Sequence, residues 1–343
     1  MTRIVRRIAC RIACTAAAAA GAALAFACGP AGDALDRVRI AVLPFVSYAP
    51  LFIAADEGLF AAEGLDVELV ELRPSESTLA LTRGEIDAAS NYLTTGVFTS
   101  MLRGARLRIV ADKGYEDPAS CAANALVARR ELTGERGTVD LRQLRGRRLD
   151  LRAAQLQEYW LEALLGRDGL ELTDFEVLQV PQQAKLDALR SGGLDLLPWS
   201  EPYLRQVADL GIGVPVARPA DVLPGQQWAV LLYGPRLLDE RPDLGESLMT
   251  AYLRGVERYR SGDPRRNAAI VAAHTGLPAE LVERCCRLTI RADGRIDTAS
   301  VIAFQRWAVA KGYLEDVVPV DGFWEPQFAE AATRLAGGGE GTP

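Results

Sequence analysis

The sequence predicts an α/β protein built as two lobes with a small-molecule cleft between them. Three observations carry this. Short apolar runs of strand length alternate with helical stretches as far as Tyr233, the pattern of parallel sheets covered by helices. The alternation starts afresh after Ala128. The first strand also stops at Pro44 and gives way to a helix start at Ser47, with Pro50 in its first turn, the place where open α/β sheets bind ligands. At roughly 100 to 200 residues per domain, 343 residues suit two such lobes.

The N-terminus is read as a leader. Arg3, Arg6, Arg7 and Arg11 precede an apolar run from Ile12 to Ala27, followed by Cys28, which is the order of a basic n-region, an h-region and a small-residue cleavage site. The run is shorter than the roughly 20 residues a spanning helix needs. Residues 1–27 are therefore expected to be a signal peptide and 28–37 a tether. Leu24-Ala25-Phe26-Ala27-Cys28 resembles a bacterial lipobox, so Cys28 is the expected lipidation site and membrane anchor; Phe26 departs from the usual order, and a plain secreted form is the alternative.

Removing the leader takes four of the 39 basic residues and none of the 45 acidic ones, which leaves a net charge of −10. So acidic a chain is a poor polyanion binder, and no nucleic-acid partner is expected. Of the six cysteines, Cys10 and Cys14 lie in the leader, leaving Cys121, Cys285 and Cys286 beside Cys28. Either Cys285 or Cys286 pairs with Cys121 in an oxidising compartment, or all three stay buried thiols. His274 is the only histidine, which removes the usual general base and most zinc sites. No metal or cofactor is expected.

Taken in order, Ile40–Leu43 reads as a buried strand, followed by a turn carrying Ser47 and Tyr48 and a helix closed by Gly58. Gly64 introduces the second strand. A helix from Ser75 stops at Gly84, and Glu85–Ala89 reads as a strand whose end delivers Ser90, Asn91 and Tyr92. A helix over Thr94–Leu102 precedes a strand over Leu107–Ala111 that ends at Asp112, Lys113, Gly114 and Tyr115. Ala123–Ala128 is the next strand. The second round comprises Arg148–Leu151, a helix over Gln155–Leu165, Phe175–Val180, a helix over Gln183–Arg190, and Leu194–Leu197. Val214–Ala217 and Gln227–Tyr233 add two strands, the latter placed to cross back to the first lobe. Beyond Pro235 the pattern is helical, and 337–343 reads as a frayed tail. Leu79 to Asp87 and Leu186 to Asp195 share one form, helix, glycine stop and strand with an aspartate, read either as duplication or as common α/β grammar.

Together, Tyr48-Ala49-Pro50-Leu51-Phe52-Ile53-Ala54, Glu57-Gly58-Leu59-Phe60, Glu63-Gly64-Leu65-Asp66-Val67, Gly84-Glu85-Ile86-Asp87 and Trp199-Ser200-Glu201-Pro202-Tyr203 resemble the substrate-binding proteins of nitrate, sulfonate, taurine and thiamine-precursor ABC importers. The resemblance runs from about Val38 to Glu330. It implies a type II periplasmic-binding-protein fold, with crossings near Ser120–Ala125 and Pro224–Trp228, lobe 1 as 38–122 plus 227–336 and lobe 2 as 123–226. It also implies an extracytoplasmic monomer that hands a small solute to permease and ATPase subunits without being an enzyme. The alternatives are an enzyme on the same fold, of the thiamine-pyrimidine-synthase kind, and a sensing module for a membrane receptor.

The expected ligand contacts are weighed against plainer roles. Ser47 and Tyr48 read as a hydroxyl donor and an aromatic wall, against a cap and a packed ring. Ser90, Asn91 and Tyr92 read as loop contacts beyond a strand. Lys113, one of three lysines, reads as a point charge for an anionic group, against a solvated amine. From the other lobe, Gln155 and Gln157 would present amides and Trp199 with Glu201 an indole wall and a carboxylate. This set leans toward a heterocyclic or aromatic solute, with a sulfonate beside it. Asp87 and Asp195 are read as ordering their own strand ends.

Overall fold

The computed structural model describes residues 35–134 and 137–337; the expected signal peptide, Cys28, most of the expected tether and the residues from 338 lie outside them. Ten strands form two five-stranded sheets: β1 Asp36–Val42, β2 Leu65–Glu71, β3 Ala88–Tyr92, β4 Arg108–Tyr115, β5 Asn124–Arg129, β6 Arg148–Asp150, β7 Glu176–Leu178, β8 Leu196–Ser200, β9 Gly213–Ala217 and β10 Gln227–Tyr233. The first sheet has the order β2-β1-β3-β10-β4 and the second β7-β6-β8-β5-β9. In each, four strands run one way and a single antiparallel strand that reaches its sheet from across the molecule is inserted among them, β10 in the first and β5 in the second.

That repetition extends to single residues. Asp87 accepts from the backbone N–H of Arg39 on β1 at 2.7 Å, and Asp195 accepts from that of Arg148 on β6 at 3.1 Å. Arg236 closes on Asp87 at 3.0 Å and Arg129 on Asp195 at 3.2 Å. The shared sequence form before β3 and β8 therefore marks one device used twice: a buried carboxylate whose lone pairs are filled by a neighbouring strand and an arginine.

Two strand boundaries differ from the sequence-based expectation. Residues 85–87 form a turn before β3, so Ser90, Asn91 and Tyr92 lie within the strand rather than beyond it. The strand expected over Leu107–Ala111 runs on to Tyr115, so Asp112, Lys113 and Gly114 also belong to it. Both changes have one cause. β10 pairs with β3 along its length and with β4 as far as Tyr115, and such long-range pairing is invisible to local pattern. Gly114, in a β10–β4 bulge, has φ +155°, and a Cβ there would meet Leu288 Cδ2 at 2.1 Å.

The chain crosses between the sheets after β4 and before β10. The crossings run side by side: Glu116 N–H donates to Gln226 O at 3.0 Å and Gly225 N–H to Glu116 O at 2.7 Å. The C-terminal helices cover the first sheet. Helix Pro242–Ser261 packs on helix Ala49–Asp56, where a Cβ at Gly255 would stand 2.4 Å from Pro50 O. Helix Thr298–Ala310 and the residues after it also grip the second half. Trp307 Nε1 donates to Glu162 at 2.7 Å, Lys311 pairs with the same carboxylate at 2.6 Å, and Tyr313 donates to Glu158 at 3.0 Å. No helix among the described residues is long and apolar enough to cross a membrane.

Candidate functional site

A cavity of about 160 Å³ lies between the sheets. Ser47 and Tyr92 reach it from the first sheet's side and Asn124, Ser200 and Glu201 from the second's; helix Pro264–Thr275 and the segment around Cys285 close it. A short 3-10 turn, Val46–Tyr48, presents Ser47, and Ala49 N–H donates back across it to Val46 O. Tyr48, not Ser47, is therefore the N-cap of helix Ala49–Asp56, with no side-chain cap bond. The Ser47 hydroxyl instead meets the Tyr92 hydroxyl at 3.0 Å.

Behind Tyr92 the chemistry is unusual. Tyr48 is buried and donates to Ser90 O at 2.9 Å. Lys113 is 1% exposed, and its Nζ lies 3.4 Å from the centre of the Tyr48 ring and 4.8 Å from that of Tyr92. Neither Lys113 Nζ nor the buried Ser90 Oγ has a hydrogen-bond partner. Burial in this apolar, aromatic setting holds the Lys113 amine well below the usual lysine range.

On the opposite wall, Ser200 Oγ donates to Asn124 Oδ1 at 2.5 Å, and Asn124 Nδ2 donates to Glu116 Oε1 at 2.7 Å. That relay runs from the cavity to the crossing. Burial raises Glu116 to about 7, against the Asn124 bond that lowers it. Glu201 accepts from the N–H groups of Cys286 at 3.0 Å and Arg205 at 3.0 Å, and burial still raises it. Cys121 pairs with Cys286, and Cys285 is a buried free thiol; burial and the adjacent Glu201 push that thiol up to about 12.

The structure gathers Ser47, Tyr92 and Glu201 at this cavity, with Tyr48, Ser90 and Lys113 directly behind it. The other four expected contacts go elsewhere. Asn91 points to the far face of its sheet, where it accepts from Ser77 Oγ at 3.1 Å. Trp199 is buried in the second half's core, stacked on Tyr203 at 4.6 Å, because β8 turns that residue away from the cavity. Gln155 and Gln157 line an open groove of about 1250 Å³ with Thr94 and Arg152, which meets the cavity's wall only at Tyr92. There the two halves touch, through a β-bridge between Thr94 and Gln155 and a Thr95 Oγ1 bond to Ala154 O at 3.2 Å; Ala154 has a positive φ of 61°.

Sequence reasoning missed Asn124, Ser200 and Glu116. The one available signal was polar Asn124 at the head of the apolar run Ala125–Ala128. Among the described residues no three His, Cys, Asp or Glu side chains gather as a metal site.

A family model described as NMT1-like family matches residues 32–274. The bicarbonate-binding protein CmpA of Synechococcus elongatus is 24% identical over 221 residues, which is 59% of this chain and 48% of that protein. The chain thus spans about half the length of that curated relative. Among solved structures, the periplasmic nitrate-binding protein NrtA from Synechocystis PCC 6803 superposes with a TM-score of 0.71 at 15% identity, covering 88% of this chain and 89% of that one. The desulfurization enzyme DSZB superposes with a TM-score of 0.65 at 17% identity, covering 88% and 99%. These likenesses establish the type II periplasmic-binding-protein fold, two α/β lobes around a cleft.

Proposed function

The chain belongs to the NMT1-like family, and from that premise we propose that it is the extracytoplasmic solute-binding component of an ABC importer. One observation carries the reading: a cavity lined by polar groups from both halves, beside two hydrogen-bonded crossings able to act as a hinge. In this reading lobe 1 comprises 38–122 and 227–336, and lobe 2 comprises 123–226. A solute bridging Ser47 and Tyr92 on one side and Asn124, Ser200 and Glu201 on the other stabilises the closed form, with no covalent step. The names of the bicarbonate-binding and nitrate-binding relatives support small-solute capture. Lipid attachment at Cys28, a monomeric state, and permease and ATPase subunits as partners complete the proposal.

The ligand is a small organic solute. Of the three aromatic residues expected at the ligand, Tyr92 alone lines the cavity, while the two expected walls are packed, Tyr48 beneath Lys113 and Trp199 on Tyr203. This favours hydrogen-bonding head groups such as a sulfonate over a ring held between aromatic faces. Burial raises the cavity's Cys285 thiol to about 12, which makes it a poor nucleophile near neutral pH and speaks against thiol chemistry there.

A thermal-shift panel of sulfonates, nitrate, pyrimidines and aromatic acids tests the reading. A solute at 100 times its Kd should add about 2.7 kcal/mol of stability. No shift with any of them would contradict it.

A further inference from the structure

Of the three lysines, Lys185 pairs with Asp150 at 2.6 Å and Lys311 with Glu162 at 2.6 Å. Lys113 alone is buried and unpartnered. Stability does not account for it, because an unpaired buried amine costs free energy that a methionine of similar length would not. A buried amine without a hydrogen-bond partner calls for an explanation, and a cavity beside it supplies one.

The geometry shows where that partner enters. Tyr92 stands between Lys113 and the cavity, with its hydroxyl on Ser47 at the cavity wall and its ring 4.8 Å from the Lys113 amine. The second orphan, Ser90 Oγ, lies on the same strand two residues before it, and the Ser90 carbonyl holds the hydroxyl of Tyr48, whose ring lies under the amine. Among the described residues no carboxylate competes for the position. Asp112 is occupied by the N–H groups of Gly114 and Arg291 and by Gln227. Glu116 is bonded by Asn124, and Glu201 by two backbone N–H groups. The ionisable groups facing Lys113 are the two tyrosines.

We propose that Lys113 and Ser90 form the anion-reading end of the solute site, sealed by the Ser47–Tyr92 hydrogen bond, and that a carboxylate or sulfonate head group turns Tyr92 aside to pair with the amine. This rests on the solute-binding reading and adds the charge of the solute and the residue that reads it. Burial favours the neutral amine, so anion binding draws a proton to it from solvent and the complex holds an ammonium beside an oxyanion.

Isothermal titration of the full chain with benzenesulfonate, propane-1-sulfonate, benzoate and nitrate, against benzamide and benzyl alcohol, at pH 7, 8 and 9, tests this. The anions are expected to bind at least about 30-fold tighter than the neutral compounds, as one charge-assisted pair allows. Their affinity should fall toward tenfold per pH unit as the proton becomes scarcer. Lys113→Met should lose the anion preference while its melting temperature rises, which separates lost recognition from misfolding. Tyr92→Phe, lacking the seal, should bind the same anions several-fold tighter. Neutral compounds binding as well as anions, or Lys113→Met binding anions unchanged, would overturn the inference and leave solute binding standing. Binding of no compound would overturn both.

Discussion

At the scale of single residues, the buried carboxylates divide into two kinds. Asp87 and Asp195 have every strong interaction filled by a strand N–H and an arginine, and their role in ordering strand ends was legible from the repeated glycine-stop pattern. Glu116 was not legible, because its partner Asn124 lies across a crossing and its burial follows from the meeting of two distant segments. Its carboxyl is raised from the usual 4.5 to about 7, so between those values the folded protein binds more protons than the unfolded chain. Its contribution is therefore least unfavourable below about pH 4.5 and worsens as pH rises through 7, by about 3 kcal/mol at about 1.4 kcal/mol per unit. Glu116→Gln keeps an acceptor for Asn124 and removes the charge. Urea unfolding should show the variant gaining on the wild type between pH 5 and pH 8; equal stability differences at both would contradict the assignment.

At the scale of elements, the parallel units were readable from local pattern, with glycine stops at Gly58, Gly84 and Gly104. β10 and its return to the first lobe were readable as well; what the pattern could not supply was the reach of its pairing with β3 and β4, more than a hundred residues away, which carries Ser90, Tyr92 and Lys113 into strands. Trp199 faces the core because the strand expected to end at Leu197 runs on to Ser200, which puts Trp199 within β8 on the same side as the buried Leu197. The C-terminal segment is a further long-range element. Cys286 ties it to the crossing through Cys121, with a sequence separation of 165, and Glu201 accepts the Cys286 N–H. In the chain-entropy view a loop of that length contributes about 5 kcal/mol through the unfolded state. Reduction, or Cys121→Ser, should lower the denaturant midpoint strongly, and an unchanged midpoint would show that the crossing is held without it.

At the scale of the whole molecule, two similar sheets place their antiparallel strands, β5 and β10, next to the crossings, so the groups that line the cavity are also those that feel the hinge. The Ser200–Asn124–Glu116 relay joins the cavity wall to that hinge. The contacts at Thr94–Gln155 and Thr95–Ala154 hold the halves together at a second place, beside the groove lined by Gln155 and Gln157. Two cavities therefore compete as the seat of a solute, and the account assigns it to the smaller. A crystal structure of the chain with the tightest binder from the solute panel decides between them. The account predicts density between Ser47 and Tyr92 on one side and Asn124 and Ser200 on the other, touching both halves at once. Density confined to the groove along Gln155 and Gln157, with the inter-sheet cavity unchanged, would contradict it.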